Sequence, residues 1–409
     1  MAANQRWVSG AKTVAQVGQI TYATYDVATT YGILIGAKSI TQIGTGGTIT
    51  TTVAALLALL QASTEPEFTE VTWSANAGVL TYTVPTAGAG KPVTVTGTVS
   101  GGTGTQTPAA VTANSGPNVW DIIANWTTAI PVATDTISFD NSSISALYDL
   151  SQAGATLAAG NILQSYTGDI GLPKTNNDGL PYTEYRPDYL ALDCSSWVIG
   201  TGPGLGSRRL KINSGTVQTA VVINNTGTPA EFGLEAFLWK GTNANNTMVV
   251  RGNASVGVAV FGFETATLTT LTVDSGNVRI GSGVTLNTVV VNGGNVEINC
   301  AVVTSLTVYG GTVTINGTGA VAAIAVYGGR VYYNTTGTLG GAPVVQNPGV
   351  LDFSRDPRTK TVTNPIDTNW TRGVNDPDKV VTALVVDYNG CQPIPGLGTN
   401  VRVTRGAPA

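Results

Sequence analysis

The sequence predicts a mainly β protein: a parallel β-helix (β-solenoid) behind a small N-terminal α+β domain. Three observations predict it. A small-residue pair followed by a strand recurs as SGNVRI from Ser275, GGNVEI from Gly293, GGTVTI from Gly310, GGRVYY from Gly328 and PGVLDF from Pro348, at spacings of 18, 17, 18 and 20 residues. A second apolar triplet precedes each of these turns, at Leu271, Val289, Leu306, Ile324 and Val344. Two columns with the same spacing are the signature of stacked repeats. Composition agrees, since 51 of 409 residues are glycine and only 11% are charged, a strand-and-turn mixture poor in helix formers.

Taken in order, residues 1–17 are polar and without pattern, and read as an arm that could dock on a partner. Residues 18–100 read as a small α+β attachment domain. Its helix is the apolar run VAALLALLQAS, with Thr51 or Thr52 as N-cap and Leu56, Leu57, Leu59 and Leu60 laid against the strands. Residues 101–117, GGTGTQTPAAVTANSGP, form a Gly/Thr/Pro-rich linker. Residues 118–207 are expected to be the entry of the β-helix. There Trp120, Asn125-Trp126, Pro131 and Asp135 precede TISFD, and aromatic rings at that point would cover the open end of a solenoid core.

Within the entry, residues 161–190 carry Tyr166, Tyr182, Tyr185 and Tyr189 together with Lys174 and Arg186. Tyrosine-rich excursions make adaptable interfaces, so Tyr166, Tyr182, Tyr185, Arg186 and Tyr189 are the candidate contacts to a protein or a glycan. Packing of an ordered loop on the solenoid flank accounts for the same residues.

Residues 208–364 are read as the solenoid proper, with less regular rungs from Arg208 and the regular ones within 247–352. Alternation sends Val278, Val296, Val313, Val331 and Leu351 inward, with Ile280, Ile298, Ile315, Tyr333 and Phe353 as a second inward column. Arg279, Glu297, Thr314, Tyr332 and Asp352 form the outward column between them. The charged stretch LDFSRDPRTKTVTN, 351–364, reads as a terminator, and residues 365–409 as a C-terminal cap and tail.

Several function classes recede on composition alone. Histidine is absent, which removes Ser-His and Cys-His catalysis and the commonest metal ligand. The three cysteines, Cys194, Cys300 and Cys391, are too dispersed for a disulfide framework or a metal cluster. A net charge of −4 without a basic stripe argues against nucleic acid. The longest clean apolar run, Val53 through Leu60, is far short of the roughly 20 residues of a membrane span, and MAANQRWVSGAK lacks the apolar region of a signal peptide. Between 247 and 350 the only acids are Glu264, Asp274 and Glu297, a thin supply for glycosidase chemistry, and Asp does not recur at the turns as a calcium solenoid requires. No enzyme, cofactor or metal is expected.

The W…NW…P…D stretch resembles the opening of bacterial and phage β-helical proteins. PEFTEVTW at 66–73 and TAGAGKPVTVT at 86–96 resemble a small domain of tailed-phage and prophage structural proteins. SYTGDIGLP, YRPDYLAL, GTPAEFGLEAFLWKGT and LDFSRDPRTKTVTN look like the β-helical proteins that accompany it, so the matches span most of the chain. The resemblance implies a virion component assembled in the host cytoplasm and transfers no functional residue. The expected function is a capsid decoration (cement) protein that grips the major capsid protein or another virion protein through its N-terminal region and projects the solenoid, as a homotrimer. The alternatives are a tail-fibre or tailspike-like adhesin recognising host-surface glycan and, third, a bacterial surface adhesin.

Overall fold

The computed structural model describes residues 2–84, 91–173, 185–299, 302–382, 384–389 and 402–404. The chain is mainly β and winds a parallel β-solenoid of about 12 turns behind a small N-terminal domain. Each turn contributes to two long parallel sheets, one of 15 strands and one of 11, between which a single continuous core runs. At ~4.8 Å per rung the rod is roughly 58 Å long.

One inward column of the larger sheet can be followed rung by rung: Phe139, Ile162, Ile199, Ile223, Val250, Val273, Val291, Val308, Val326 and Val345. In the smaller sheet the predicted columns hold, with Val278 over Val296, Val313, Val331 and Leu351, and Ile280 over Ile298, Ile315 and Tyr333. Core shape is matched locally. Gly160 lies beside Trp197, whose ring leaves no room for a Cβ at that point.

The rungs begin earlier than the repeat suggested. Thr136–Phe139, Ala159–Leu163 and Ser196–Thr201 are already stacked, although they lie in the stretch read as an entry before Arg208. Their spacing varies because loops of different length leave between strands, so periodicity does not reveal them. The charged stretch 351–364 does not end the ladder either. Ile366–Thr368, Val385–Tyr388 and Arg402–Thr404 extend the larger sheet in parallel, so the region read as cap and tail still carries rungs.

Two local expectations also shift. Val344 pairs with Ala325 rather than Ile324, because the turn before Val350–Asp352 holds one residue more than the preceding turns; Val345 therefore faces inward. Asp352 keeps its outward register beside Tyr332, yet it is only 1% exposed and pairs with Arg330 at 2.8 Å. Arg279 and Glu297 do meet across rungs, at 4.0 Å and with both side chains well exposed.

The N-terminal domain packs a four-stranded and a three-stranded antiparallel sheet with a long helix, Ile49–Ala62, and a one-turn helix, Pro66–Thr69. The N-cap of the long helix is Thr48, which accepts from the Thr51 amide, so the helix starts before the predicted cap. Val53, Leu56 and Leu60 are buried and Leu59 faces outward, as helical periodicity dictates for a single apolar stripe. The stretch 101–117 is not a linker. Thr105–Thr112 forms an edge strand on Gln16–Ala23, and Pro108 is tolerated because its missing donor would face outward.

The arm is not free. Asn4–Arg6 adds a parallel strand beneath Thr136–Phe139, and Trp7 enters the end of the solenoid core with Trp120, Trp126 and Phe139. The entry motif explains why. Asn125, fully buried, accepts from the Ala11 amide and donates to the Gly116 and Val119 carbonyls, while Asp135 accepts from the Ala3 and Val132 amides. The tryptophans close the core and the two polar residues tie the first strand across it.

Candidate functional site

Of the tyrosine-bearing segment, the described residues 185–189 sit where the small domain meets the solenoid. Tyr182 and Lys174 lie outside the described residues. Tyr166 is fully buried, with its hydroxyl donating to the Ile144 and Asp169 carbonyls and its ring against Phe139. Burial pushes its phenol far up, and it has no surface to offer a partner. It is a core residue of the entry rungs.

Tyr189 is also buried, at the centre of an ionic knot on the outside of the smaller sheet. Its hydroxyl donates to Glu264 Oε2 at 3.3 Å, and Lys240 Nζ stands 3.9 Å from its ring centroid. Lys240 pairs with Glu264 and Lys211 with Asp188, both at 3.3 Å. Burial lowers the Lys211 ammonium and raises the Glu264 carboxyl, each opposed by its partner's charge. Every charge here is matched, which fits the requirement that buried ions be paired. The knot fastens the 185–189 segment and the 259–265 loop to the sheet.

Tyr185 and Arg186 do reach across to another body, but within the same chain. Both grip Glu70 of the small domain, and the Arg186 guanidinium lies 4.6 Å from the Tyr185 ring and 5.8 Å from that of Tyr148. Arg186 Nε also donates to the Pro92 carbonyl. The pair forms a clasp between domain and rod and borders a cavity.

That cavity, about 310 Å³, opens along the junction and is lined on the solenoid side by Asp121, Tyr148, Asp149 and Gln152. Gln152 Nε2 donates to Asp121 Oδ1 at 2.7 Å and to the Asp149 carbonyl at 2.6 Å, which draws the two acids to one wall. Asp149 holds a left-handed backbone, φ 55°, a conformation that Asp and Asn tolerate better than most residues. Burial, and then the neighbouring Asp121, pushes its carboxyl up to about 6. In weakly acidic water such a group both donates and accepts hydrogen bonds, so this wall suits a hydroxylated or cationic ligand.

Sequence reading missed Asp121, Asp149 and Gln152. The one trace of Asp149 is an acid between the apolar neighbours Tyr148 and Leu150, a pattern too common to single out. No protein-family model matches the chain, and neither a curated protein nor a solved structure is similar to it.

Proposed function

We propose that the chain is a structural component of a bacteriophage virion, a decoration protein that grips the shell through its N-terminal region and presents the solenoid outward as a trimer. The observation that carries the reading is the clasp of a separate small domain to a rod whose entry end is sealed by tryptophans. Such a body suits covering and bracing better than turnover. Exposed phenylalanines support self-association: Phe232 and Phe263 are 105% and 85% accessible on loops of the solenoid flank. Burial of such rings is worth about 25 cal/mol per Å², and apolar surface of this kind marks association sites.

Copy number in purified particles tests the assignment. Hundreds of copies per particle agree with a shell protein, a few to a few dozen would replace it with a tail adhesin, and absence from particles would end the virion reading. Mass photometry of the full chain tests the trimer, and Phe232→Ser with Phe263→Ser is expected to shift it toward monomer.

A further inference from the structure

We propose that the C-terminal corner of the solenoid binds an acidic saccharide, in a pocket of about 470 Å³ lined by Arg330, Val350, Trp370, Arg372, Val374 and Asn375. Arg330 is held by the buried Asp352 carboxylate at 2.8 Å, which orients its guanidinium. Trp370 is fixed too. Its Nε1 donates to the Gly349 carbonyl at 2.8 Å, and the indole lies so close to Gly373 that a Cβ there would stand 3.0 Å from Nε1. Arg372 is exposed and, among the described residues, has no hydrogen-bond or ion-pair partner. Two guanidinium groups and the one carboxylate that orients Arg330 leave a surplus positive charge at the pocket, in a protein of net charge −4.

A flat indole beside a guanidinium fork matches a sugar that carries a carboxylate. The fork donates to the carboxylate in a bidentate fashion, the indole packs against the apolar face of the ring, and Asn375 offers an amide to hydroxyls. The adjoining corner extends the match. Tyr309 and Tyr327, on successive rungs, stack with centroids 5.3 Å apart, in the same turn column as Asn292 and Gln346. That stripe is aromatic and neutral at steps of ~4.8 Å, so it suits further hydroxylated units along the rod axis. A nucleic acid would require cations at every step. Arg251, in the same column, is already paired with Asp274 at 3.2 Å.

Binding at this pocket is independent of a place in the virion, whose test is copy number. Tryptophan fluorescence of the full chain is titrated with oligogalacturonate, oligosialic acid, a neutral galactose oligomer, poly-glutamate and inorganic sulfate. Saturable binding of at least one acidic oligosaccharide is expected, with the neutral oligomer at least tenfold weaker. Arg372→Glu, a surface change whose folding is verified by thermal unfolding, should weaken binding at least tenfold, and Arg208→Glu elsewhere on the rod should not. The proposal is overturned if neither acidic oligosaccharide binds, if folded Arg372→Glu binds as wild type does, or if poly-glutamate or sulfate binds as tightly as the sugars.

Discussion

The rungs between Asn277 and Tyr333 and those between Thr136 and Val258 belong to one core, yet they are held by different means. In the regular stretch the glycines Gly276, Gly294, Gly311 and Gly329 recur with φ of 91°, 81°, 77° and 69°. Each lies hard against the rung before it: a Cβ at Gly294 would stand 2.4 Å from the Gly276 oxygen, and one at Gly311 2.3 Å from the Gly294 oxygen. In the earlier rungs long loops replace these turns, and ion pairs such as that of the buried Lys211 with the partly exposed Asp188 fasten them to the sheet. Steric repetition secures one region and matched charge the other, so the two should fail under different substitutions.

The largest effect is expected at the repeated turns. Gly294→Val combines a left-handed backbone with a backbone clash, and should cost about 3–5 kcal/mol in urea unfolding. Gly262, in the loop that follows Val258, has open space where a Cβ would stand. Gly262→Val should stay within about 0.5 kcal/mol. Equal losses at both positions would erase the distinction.

The converse test lies in the ionic knot. Asp188→Asn leaves the fully buried Lys211 side chain without its partner, and should cost about 1–3 kcal/mol, moderated because Asp188 is 42% exposed. Lys211→Met removes the charge with its requirement, and is expected to be neutral or stabilising. A loss for Lys211→Met as large as that of Ile298→Ala in the regular rungs, about 2–5 kcal/mol, would show that packing rather than charge holds both regions.

The same division decides what could be read from the sequence. The columns from Val278 to Leu351 were legible because equal rung lengths put like residues at a fixed interval. Trp120, Asn125, Trp126 and Asp135 were legible as an entry because large rings and two polar residues cluster within a short stretch. The role of Trp7 was not, since its partners lie more than a hundred residues away and residues 1–17 carry no pattern. The earlier rungs were hidden by their unequal loops, and the tyrosines stayed open between contact and packing for a related reason. Composition shows that Tyr166 and Tyr189 stand in an aromatic-rich excursion, but only the fold shows that both point into protein.

At the junction, pH separates the cleft from the rungs. The Asp149 carboxyl is raised to about 6 from its ordinary 3.8, so its contribution to stability is fully present below about pH 4 and is lost as pH rises through 6. Asp149→Asn keeps a side chain suited to the left-handed backbone. It should add about 1–2 kcal/mol above pH 6 and flatten the change in stability between pH 4 and 6. An unchanged pH profile would mean that the cleft is open to water.

A small global effect is expected at the clasp itself, where the comparison turns from rung against rung to rod against domain. Arg186 and Glu70 are 9% and 20% exposed in their side chains, so the pair is partly screened and Glu70→Gln should cost no more than about 1 kcal/mol. Its local effect should be larger. The tryptophan-sealed solenoid and the small domain each keep their own core, so loosening Glu70 from Tyr185 and Arg186 frees the segment between them without melting either. Hydrogen exchange should accelerate at 185–189 and 66–73 while Val278, Val296 and Val313 stay protected. Equal acceleration in the regular rungs would mean that rod and domain unfold as one unit.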